Sequence, residues 1–274
     1  MSRLRYCLAA VVTLTATPVL AQSIWTPIDH RPFIKIEALH PSLKTGSGVE
    51  VSILTGALFV TGAMPLGSRA SAVVELPYAR FKFSAAGLAG GPSSSESAFG
   101  NPYLGLQIGT LPAAHGFVGE LGVRPKMVKE KDFEAALIGA ITDVDRADAF
   151  ADATTMSGVG NFYSRVQKVS TRLRLGLTHE FFGEDYGSDE TLLDYGALGS
   201  VDVDWLRLGA ALTGRYILTE SGSFGDRSLH HVAVSVSAPV GQLWPGILVR
   251  LPLDKDVREV VRSTIGLTFE YSFR

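Results

Sequence analysis

The chain contains almost no cysteine and no long apolar segment beyond its N-terminus. Cys7 is the single cysteine among 274 residues, so the chain beyond it can form neither an internal disulfide nor a thiolate nucleophile. The formal net charge is −2 and no basic patch is evident, which argues against a nucleic-acid partner. Beyond residue 21, no stretch reaches the roughly 18 to 20 apolar residues that a membrane-spanning helix requires.

The N-terminal residues have the three parts of a secretory signal peptide. Arg3 and Arg5 supply positive charge, Leu8 to Leu20 form a short apolar stretch, and Val19-Leu20-Ala21 offers a small-residue cleavage site. The apolar stretch is too short to span about 30 Å as a helix. We therefore expect export with cleavage near Ala21, which removes residues 1–21 and leaves one domain over residues 22–274.

The chain beyond the leader repeats short segments in which apolar and polar residues alternate. This period of two indicates β-strands with one apolar and one polar face. Long and short connections alternate through the second half, as they do between antiparallel barrel strands. The sequence predicts an all-β antiparallel fold of about twelve strands, or ten if segments 33–40 and 160–169 fail to form strands. The alternation is strictest in the last strand, where one side carries Ile265, Leu267, Phe269, Tyr271 and Phe273.

The end of this last strand resembles the closing strand of Gram-negative outer-membrane β-barrels, which commonly finish on an aromatic residue. Here Phe273 is penultimate and Arg274 is last, a small departure from that pattern. The resemblance implies a transmembrane β-barrel in the cell outer membrane, with lipid against the apolar faces. A closed barrel suits lipid because it pairs every backbone N–H and C=O internally. Sparse polar faces and aromatic strand ends favour this fold over a soluble sandwich.

A second, weaker resemblance lies in the run Gly100-Asn101-Pro102-Tyr103-Leu104-Gly105. It is similar to runs in outer-membrane barrels of the MetA-pathway phenol-degradation type, which are regarded as channels for hydrophobic or aromatic compounds. The likeness covers residues 97–106 and the general strand layout. The alternative interpretation is local, because Gly-Asn-Pro is also a favourable turn into a strand.

Charged residues, mostly arginine, recur on the polar faces that would line the lumen. Arginine keeps its charge and binds carboxylates through a planar fork. These residues could brace the barrel wall as an electrostatic network, or line a pore that selects small anionic solutes. The predicted lumen-lining residues are Glu120, Arg124, Arg172, Arg174, Glu180, Asp194, Arg207, Arg215, Arg250, Arg262 and Glu270.

Two long connections differ in character. In segment 126–156, Asp132 can cap a helix in which Phe133, Leu137 and Ile141 follow helical spacing, so we expect one helical outer loop. This helix either lies on the rim or folds into the mouth, where these three residues would narrow it. Segment 85–99, which contains Ser93–Ser95, predicts a flexible, solvated loop.

These features predict a passive channel or binding protein for an unknown small solute, surrounded by membrane lipid and not an enzyme. No motif implies a cofactor or a metal ion, and none predicts an oligomeric state. One alternative is an outer-membrane lipid hydrolase that pairs His179 or His230 with Ser188 or Ser228. Another is a structural or surface-interaction barrel with a plugged lumen.

Overall fold

A computed structural model describes residues 31–44, 49–85, 93–109, 114–183 and 188–273, and most of these residues form β-strands. The predicted signal peptide lies outside the described residues. The strands are β1 (Phe33–Leu43), β2 (Val49–Val51), β3 (Gly56–Pro65), β4 (Ala70–Ala85), β5 (Ser93–Phe99), β6 (Tyr103–Gly109), β7 (His115–Arg124), β8 (Ala153–Val166), β9 (Val169–Phe182), β10 (Glu190–Val203), β11 (Leu206–Ile217), β12 (Ser228–Ser237), β13 (Leu243–Pro252) and β14 (Val261–Ser272). The α-helices are α1 (Phe133–Thr142) and α2 (Lys255–Val260).

Twelve of these strands close into one antiparallel barrel. Strand β1 pairs with both β3 and β14, and the ring closes where β4 pairs with β6. The short strands β2 and β5 pair with the far part of β4 and stand outside this ring. The predicted count of twelve is confirmed, and the alternative of ten is wrong because segment 33–40 lies within the paired strand β1 and most of segment 160–169 lies within the paired strand β8, which ends at Val166.

The two ends of the barrel differ in the length of their connections. Phe33 at the start of β1 pairs with Ser272 at the end of β14, so the first barrel strand starts and the last one finishes at the same end of the barrel. The links 167–168 and 204–205 lie at this end, which we call the short-loop end. Gln167 and Asp204 have φ values of 53° and 50°, as tight hairpin turns require. The opposite, long-loop end carries the connection 125–152.

The barrel has an apolar outer face and a polar inner face. Outward side chains on the strands are large and accessible, as at Leu175 (60% exposed) and Leu267 (49% exposed). Inward neighbours such as Thr178 and Thr264 are buried. This is the arrangement expected of a wall that meets lipid outside and encloses polar groups inside. Within the described ranges, no helix is long and apolar enough to cross a membrane.

Residues 125–152, which we call the inserted segment, fold into the barrel. Helix α1 contacts β4, β5, β3, β1 and β14, and the following 3-10 turn, Val144–Phe150, contacts β11 on another part of the ring. Small residues on α1 allow this close packing, since a Cβ at Gly139 would lie 2.6 Å from the ring of Phe150. Ala135, Phe150 and Phe59 of β3 are buried in one apolar cluster. The fold therefore places a short helix and a tight turn inside the ring of strands.

Candidate functional site: the lumen and its inserted segment

The centre of the lumen is an ionic cluster built around Arg146 of the inserted segment. Its guanidinium group lies 3.0 Å from the carboxylate of Glu37 on β1, 2.9 Å from Glu75 on β4 and 2.6 Å from Asp143. All four side chains are at most 1% exposed. The guanidinium also lies 3.5 Å from the centre of the Phe59 ring, a cation–π contact. Arg146 thus ties the turn to two neighbouring parts of the wall.

Arginines from other strands bind the carboxylates of the same turn. Arg124 on β7 lies 2.8 Å from Asp148, Arg215 on β11 lies 3.6 Å from it, and Arg250 on β13 pairs with Asp143. These three strands are spread around the ring. Because such buried pairs are costly to break, the inserted segment is held from several sides.

Asp143 illustrates the electrostatic balance inside this cluster. Burial by itself would raise the pKa of the Asp143 carboxyl group. The guanidinium groups of Arg146 and Arg250 outweigh that effect and hold the pKa well below its usual range. Asp143 therefore remains a carboxylate at neutral pH, and its ion pairs are lost only in strong acid.

Asn101 clamps both ends of the inserted segment through its fully buried side chain. Its Oδ1 accepts hydrogen bonds from the backbone N–H groups of Met127 (2.7 Å) and Val128 (3.2 Å), where the segment enters. Its Nδ2 donates to the carbonyls of Asp148 (3.2 Å) and Ala151 (2.7 Å), where the segment leaves. One amide therefore satisfies backbone groups that burial would otherwise leave without partners.

Gly100 allows this close approach. A Cβ at Gly100 would lie 2.3 Å from the carbonyl oxygen of Ala149, which no other residue type could accommodate without displacing the inserted segment. The run that begins at Gly100 therefore acts here as the seat of the inserted segment, and not only as a turn into β6.

The lumen is filled unevenly in its short-loop half. On β1, β3, β4 and β6, the inward residues Phe33, Ala63, Val73 and Tyr103 pack into a buried apolar cluster. On β10 to β14, the inward residues remain partly accessible because many have small side chains. They include Gly196, Leu198, Ser200, Gly209, Ser235, Ser237, Trp244, Gly246, Thr268 and Glu270. We call this partly accessible region the vestibule.

A second set of polar residues lies beside the vestibule. The carboxylate of Glu120 accepts hydrogen bonds from the hydroxyl of Tyr103 (2.9 Å) and from Nε2 of Gln107 (3.3 Å). On β9, Nε of Arg172 donates to Oδ1 of Asn161 (2.9 Å). All five of these residues lie on strands of the wall.

The short-loop mouth carries its own ion pair. Nε of Arg207 lies 2.7 Å from Oδ1 of Asp202, and Arg165 lies 2.9 Å from the other carboxylate oxygen. The guanidinium of Arg207 is 4.6 Å from the ring centre of Trp244 on β13. These side chains are partly exposed, so water screens their charges more than it screens the central cluster.

The predicted lumen-lining residues fall into three groups according to their orientation and exposure. Seven have buried side chains facing inward, whereas Arg174, Arg207 and Glu270 face inward and are partly exposed. Arg262 is exposed at the long-loop end, because the β1–β14 pairing shifts register between Ser42 and Leu43 and alternation is interrupted there. The seven buried residues are Glu120, Arg124, Arg172, Glu180, Asp194, Arg215 and Arg250.

The predicted helix exists, but different residues attach it to the wall. Phe133 and Leu137 are 65% and 48% exposed, and Ile141 is half-buried. The buried positions are mainly small residues, such as Ala135 and Ala136. The face of α1 that packs against the wall is therefore formed by small side chains, and a pattern of large apolar residues does not identify it.

Several residues of the site escaped the sequence analysis. Glu37 and Glu75 had a usable signal, since each stands on the polar side of an alternating strand. Asp143, Arg146 and Asp148 lie in a run without period two, and nothing in that run indicates insertion into the barrel. Asn101 was noticed only as part of a turn.

The histidines considered for a hydrolase have other partners. Nδ1 of His230 lies 3.0 Å from Asp254, and its Nε2 lies 2.5 Å from the hydroxyl of Tyr195. The hydroxyl of Ser228 donates to the carbonyl of Phe224 instead. Nδ1 of His179 lies 2.9 Å from Oγ1 of Thr191. Among the described residues, no group of three or more His, Cys, Asp or Glu residues is arranged to hold a metal ion.

A closed antiparallel barrel with an apolar exterior and a charged interior is the architecture of outer-membrane β-barrel proteins. Solved structures of that class are similar to this chain. One is the COG4313 outer membrane channel from Pseudomonas putida F1, with a TM-score of 0.58 and 12% identity over 93% of this chain and 100% of that one. Another is the translocator domain of the autotransporter NalP from Neisseria meningitidis, with a TM-score of 0.50 and 11% identity over 98% and 94% of the two chains. No family model and no curated protein sequence matches the chain. At these identities, the similarity establishes the fold alone.

Proposed function

We propose that the protein is an outer-membrane channel for a small solute, in which the inserted segment controls passage through the lumen. The observation that carries this proposal is the unequal filling of the interior. Protein interiors normally pack to high density, so a wall lined by glycine, serine and threonine at inward positions leaves space that side chains do not fill. That space opens toward the short-loop end, where a solute can enter.

The central cluster sets where such a solute could pass the inserted segment. Glu37, Glu75 and Arg124 are 0 to 1% exposed, so the turn is tightly sealed against that part of the wall. On the other part, Asp194 on β10 and His231 on β12 are 7% and 8% exposed. On this side Arg215 of β11 lies 3.6 Å from Asp148 and the hydroxyl of Thr213 donates to Asp145, so a solute can pass only if the inserted segment moves.

Both sequence interpretations of the charged lumen have a place in this proposal. The buried pairs around Arg146 brace the inserted segment, because their side chains bind each other and contact little solvent. Charges next to the vestibule, such as Arg174 and Glu270, are accessible to a solute. The buried pairs hold the inserted segment in place, and the accessible charges contact the solute.

Planar-bilayer recording of the purified protein tests this proposal. Wild-type protein should give single-channel steps, and Asn101→Ala should raise the mean conductance because the clamp on the inserted segment is lost. Asn161→Ala is the matched control, since Asn161 is an equally buried asparagine that donates to the carbonyl of Val118 and accepts from Nε of Arg172, both on the wall. A wild-type protein that inserts into the bilayer without conductance steps would overturn the channel.

A second candidate is a hydrolase acting on outer-leaflet lipid. The observation that favours it is the hydrogen-bonded series Asp254, His230 and Tyr195 on the outward-facing side near the long-loop end. A carboxylate, an imidazole and a hydroxyl in this order can activate the hydroxyl as a nucleophile. Release of fatty acid from phospholipid or lipopolysaccharide vesicles, lost in His230→Ala, would support this candidate. Unaltered lipid would remove it.

A further inference from the structure

Arg174 differs from the other inward arginines in its contacts. Arg124, Arg146 and Arg215 each lie within 2.7 Å of a carboxylate, and Arg207 at the mouth does so as well. Arg174, in contrast, makes no hydrogen bond and no ion pair with any part of the chain that the structure describes. It is also partly accessible, so its guanidinium group meets the vestibule with its donors unused.

The neighbours of Arg174 leave room in front of it. In the sheet, Arg174 pairs with Asn161 on β8 and with Gly196 on β10. Gly196 has no side chain, and the next inward residue along β10 is Leu198, which is partly exposed. On its β10 side, Arg174 therefore has a neighbour without a side chain and, beyond it, the partly exposed Leu198.

The local charge around Arg174 is positive. Arg172 is the adjacent inward residue on the same strand, and the carboxylate whose charge interacts with both arginines is that of Glu120. Both oxygens of Glu120 already accept hydrogen bonds from Tyr103 and Gln107. Two guanidinium groups thus share one buried carboxylate, an excess of positive charge that an incoming anion would offset.

We infer that Arg174 is an anion-binding subsite of the vestibule, which takes the carboxylate group of a small organic acid. The planar guanidinium can hold a carboxylate through two parallel hydrogen bonds, and Leu198 offers an apolar surface to the body of the ligand. The inference deepens the proposed function and rests on it, because it names the class of solute that the channel would favour.

Two measurements test the subsite, with benzoate as the probe and benzamide as its neutral counterpart. The first is the reversal potential across a KCl gradient in planar bilayers. The second is calorimetric titration of the detergent-solubilised protein with each probe. Wild-type protein should prefer anions and should bind benzoate but not benzamide.

Arg174→Gln should lower the anion-to-cation permeability ratio about five-fold, the effect of removing one charge a few ångströms from the ion path in water. It should also weaken benzoate binding. Arg174→Lys should keep the selectivity but bind benzoate less well, because lysine lacks the planar fork. Arg165→Gln is the control, since it removes the same charge from an exposed pair at the mouth.

The outcomes separate the subsite from the channel. If wild-type protein shows no conductance steps, the channel fails, and the titration alone decides the subsite. If Arg174→Gln matches wild type in both selectivity and benzoate binding, the subsite is wrong even though the channel stands. Circular dichroism of each variant in detergent confirms that the barrel is folded before either comparison.

Discussion

The two sides of the short-loop half of the lumen can be compared directly. On β6 and β7, a Cβ at Gly105 or Gly122 would lie 2.4 Å or 2.3 Å from the ring of Tyr103, so the ring occupies the space that the glycines leave. On β11 and β13, a Cβ at Gly209 or Gly246 would lie 2.6 Å or 2.7 Å from the hydroxyl oxygen of Ser235 or Thr268. Glycine therefore lies against a large aromatic ring in one place and against small hydroxyl side chains in the other.

The same contrast extends to charge. The dense side supplies Glu37, Glu75 and Arg124 to a cluster that is closed to solvent, and these groups hold the inserted segment. The open side keeps Arg174 and Glu270 partly accessible. The charges that hold the inserted segment thus come from both sides, since Arg215 and Arg250 also bind it, whereas the charges proposed to contact a solute lie next to the vestibule.

The largest loss of stability should come from Arg146→Leu, which removes the shared cation of the buried ionic cluster. Glu37, Glu75 and Asp143 would then face one another without their shared cation, and breaking such buried pairs costs about 3 to 5 kcal/mol. Denaturant unfolding of the protein in detergent measures this loss. Lys126→Leu is the control, because it breaks a pair whose side chains are 40% and 28% exposed and should cost less than about 1 kcal/mol. Equal losses in the two variants would contradict the assigned role of the cluster.

An intermediate loss of stability is expected for a substitution in the buried apolar cluster, and a smaller loss for the same substitution in the vestibule. Ala63→Phe adds a ring to the buried cluster of Phe33, Val73 and Tyr103, and overpacking of this kind costs about 1 to 3 kcal/mol. Ser235→Phe adds the same ring to the vestibule, where it should be tolerated and should reduce single-channel conductance. Unfolding curves and bilayer recordings of the two variants make the comparison. If Ser235→Phe destabilises the barrel as much as Ala63→Phe, the vestibule is not open space.

The smallest effect should come from Leu137→Ala on the accessible side of α1. Because this side chain is 48% exposed, its removal should change stability by less than about 0.5 kcal/mol. Ile138→Ala, at a position only 7% exposed, should cost about 2 to 5 kcal/mol. Unfolding curves check the stability difference. An increase in conductance in Leu137→Ala would support the prediction that Leu137 narrows the mouth, and unchanged conductance would count against it.

The strands could be predicted where lipid and lumen impose opposite demands on alternate residues. In β14, apolar residues from Ile265 to Phe273 all lie on the outward face, as their alternation predicts. In β5, the residues from Ser93 to Ser97 are polar on both faces because the strand extends beyond the main ring, so the predicted loop at 85–99 contains a strand. The alternation of apolar and polar residues is lost where a strand no longer separates lipid from the lumen.

The sequence predicts a helix in the inserted segment but does not decide between the rim and the mouth of the barrel. Its location depends on contacts between distant residues, such as Arg146 and Glu37, which are 109 positions apart. No local pattern encodes such a pairing, since each partner alone is compatible with a solvated surface. Asn101 shows the same limit, because its role depends on which backbone groups reach it in three dimensions.

The clamp at Asn101 has a consequence for the evolution of this barrel. Since the Asn101 side chain binds backbone groups at both the entry and the exit of the inserted segment, the two ends of that segment are held together without any contact from the exposed face of α1. Residues on the accessible face of α1 can therefore change without weakening the hydrogen bonds that Asn101 makes. We expect homologous barrels that keep an asparagine at this position to differ more in the exposed residues of α1 than in the residues that Asn101 contacts.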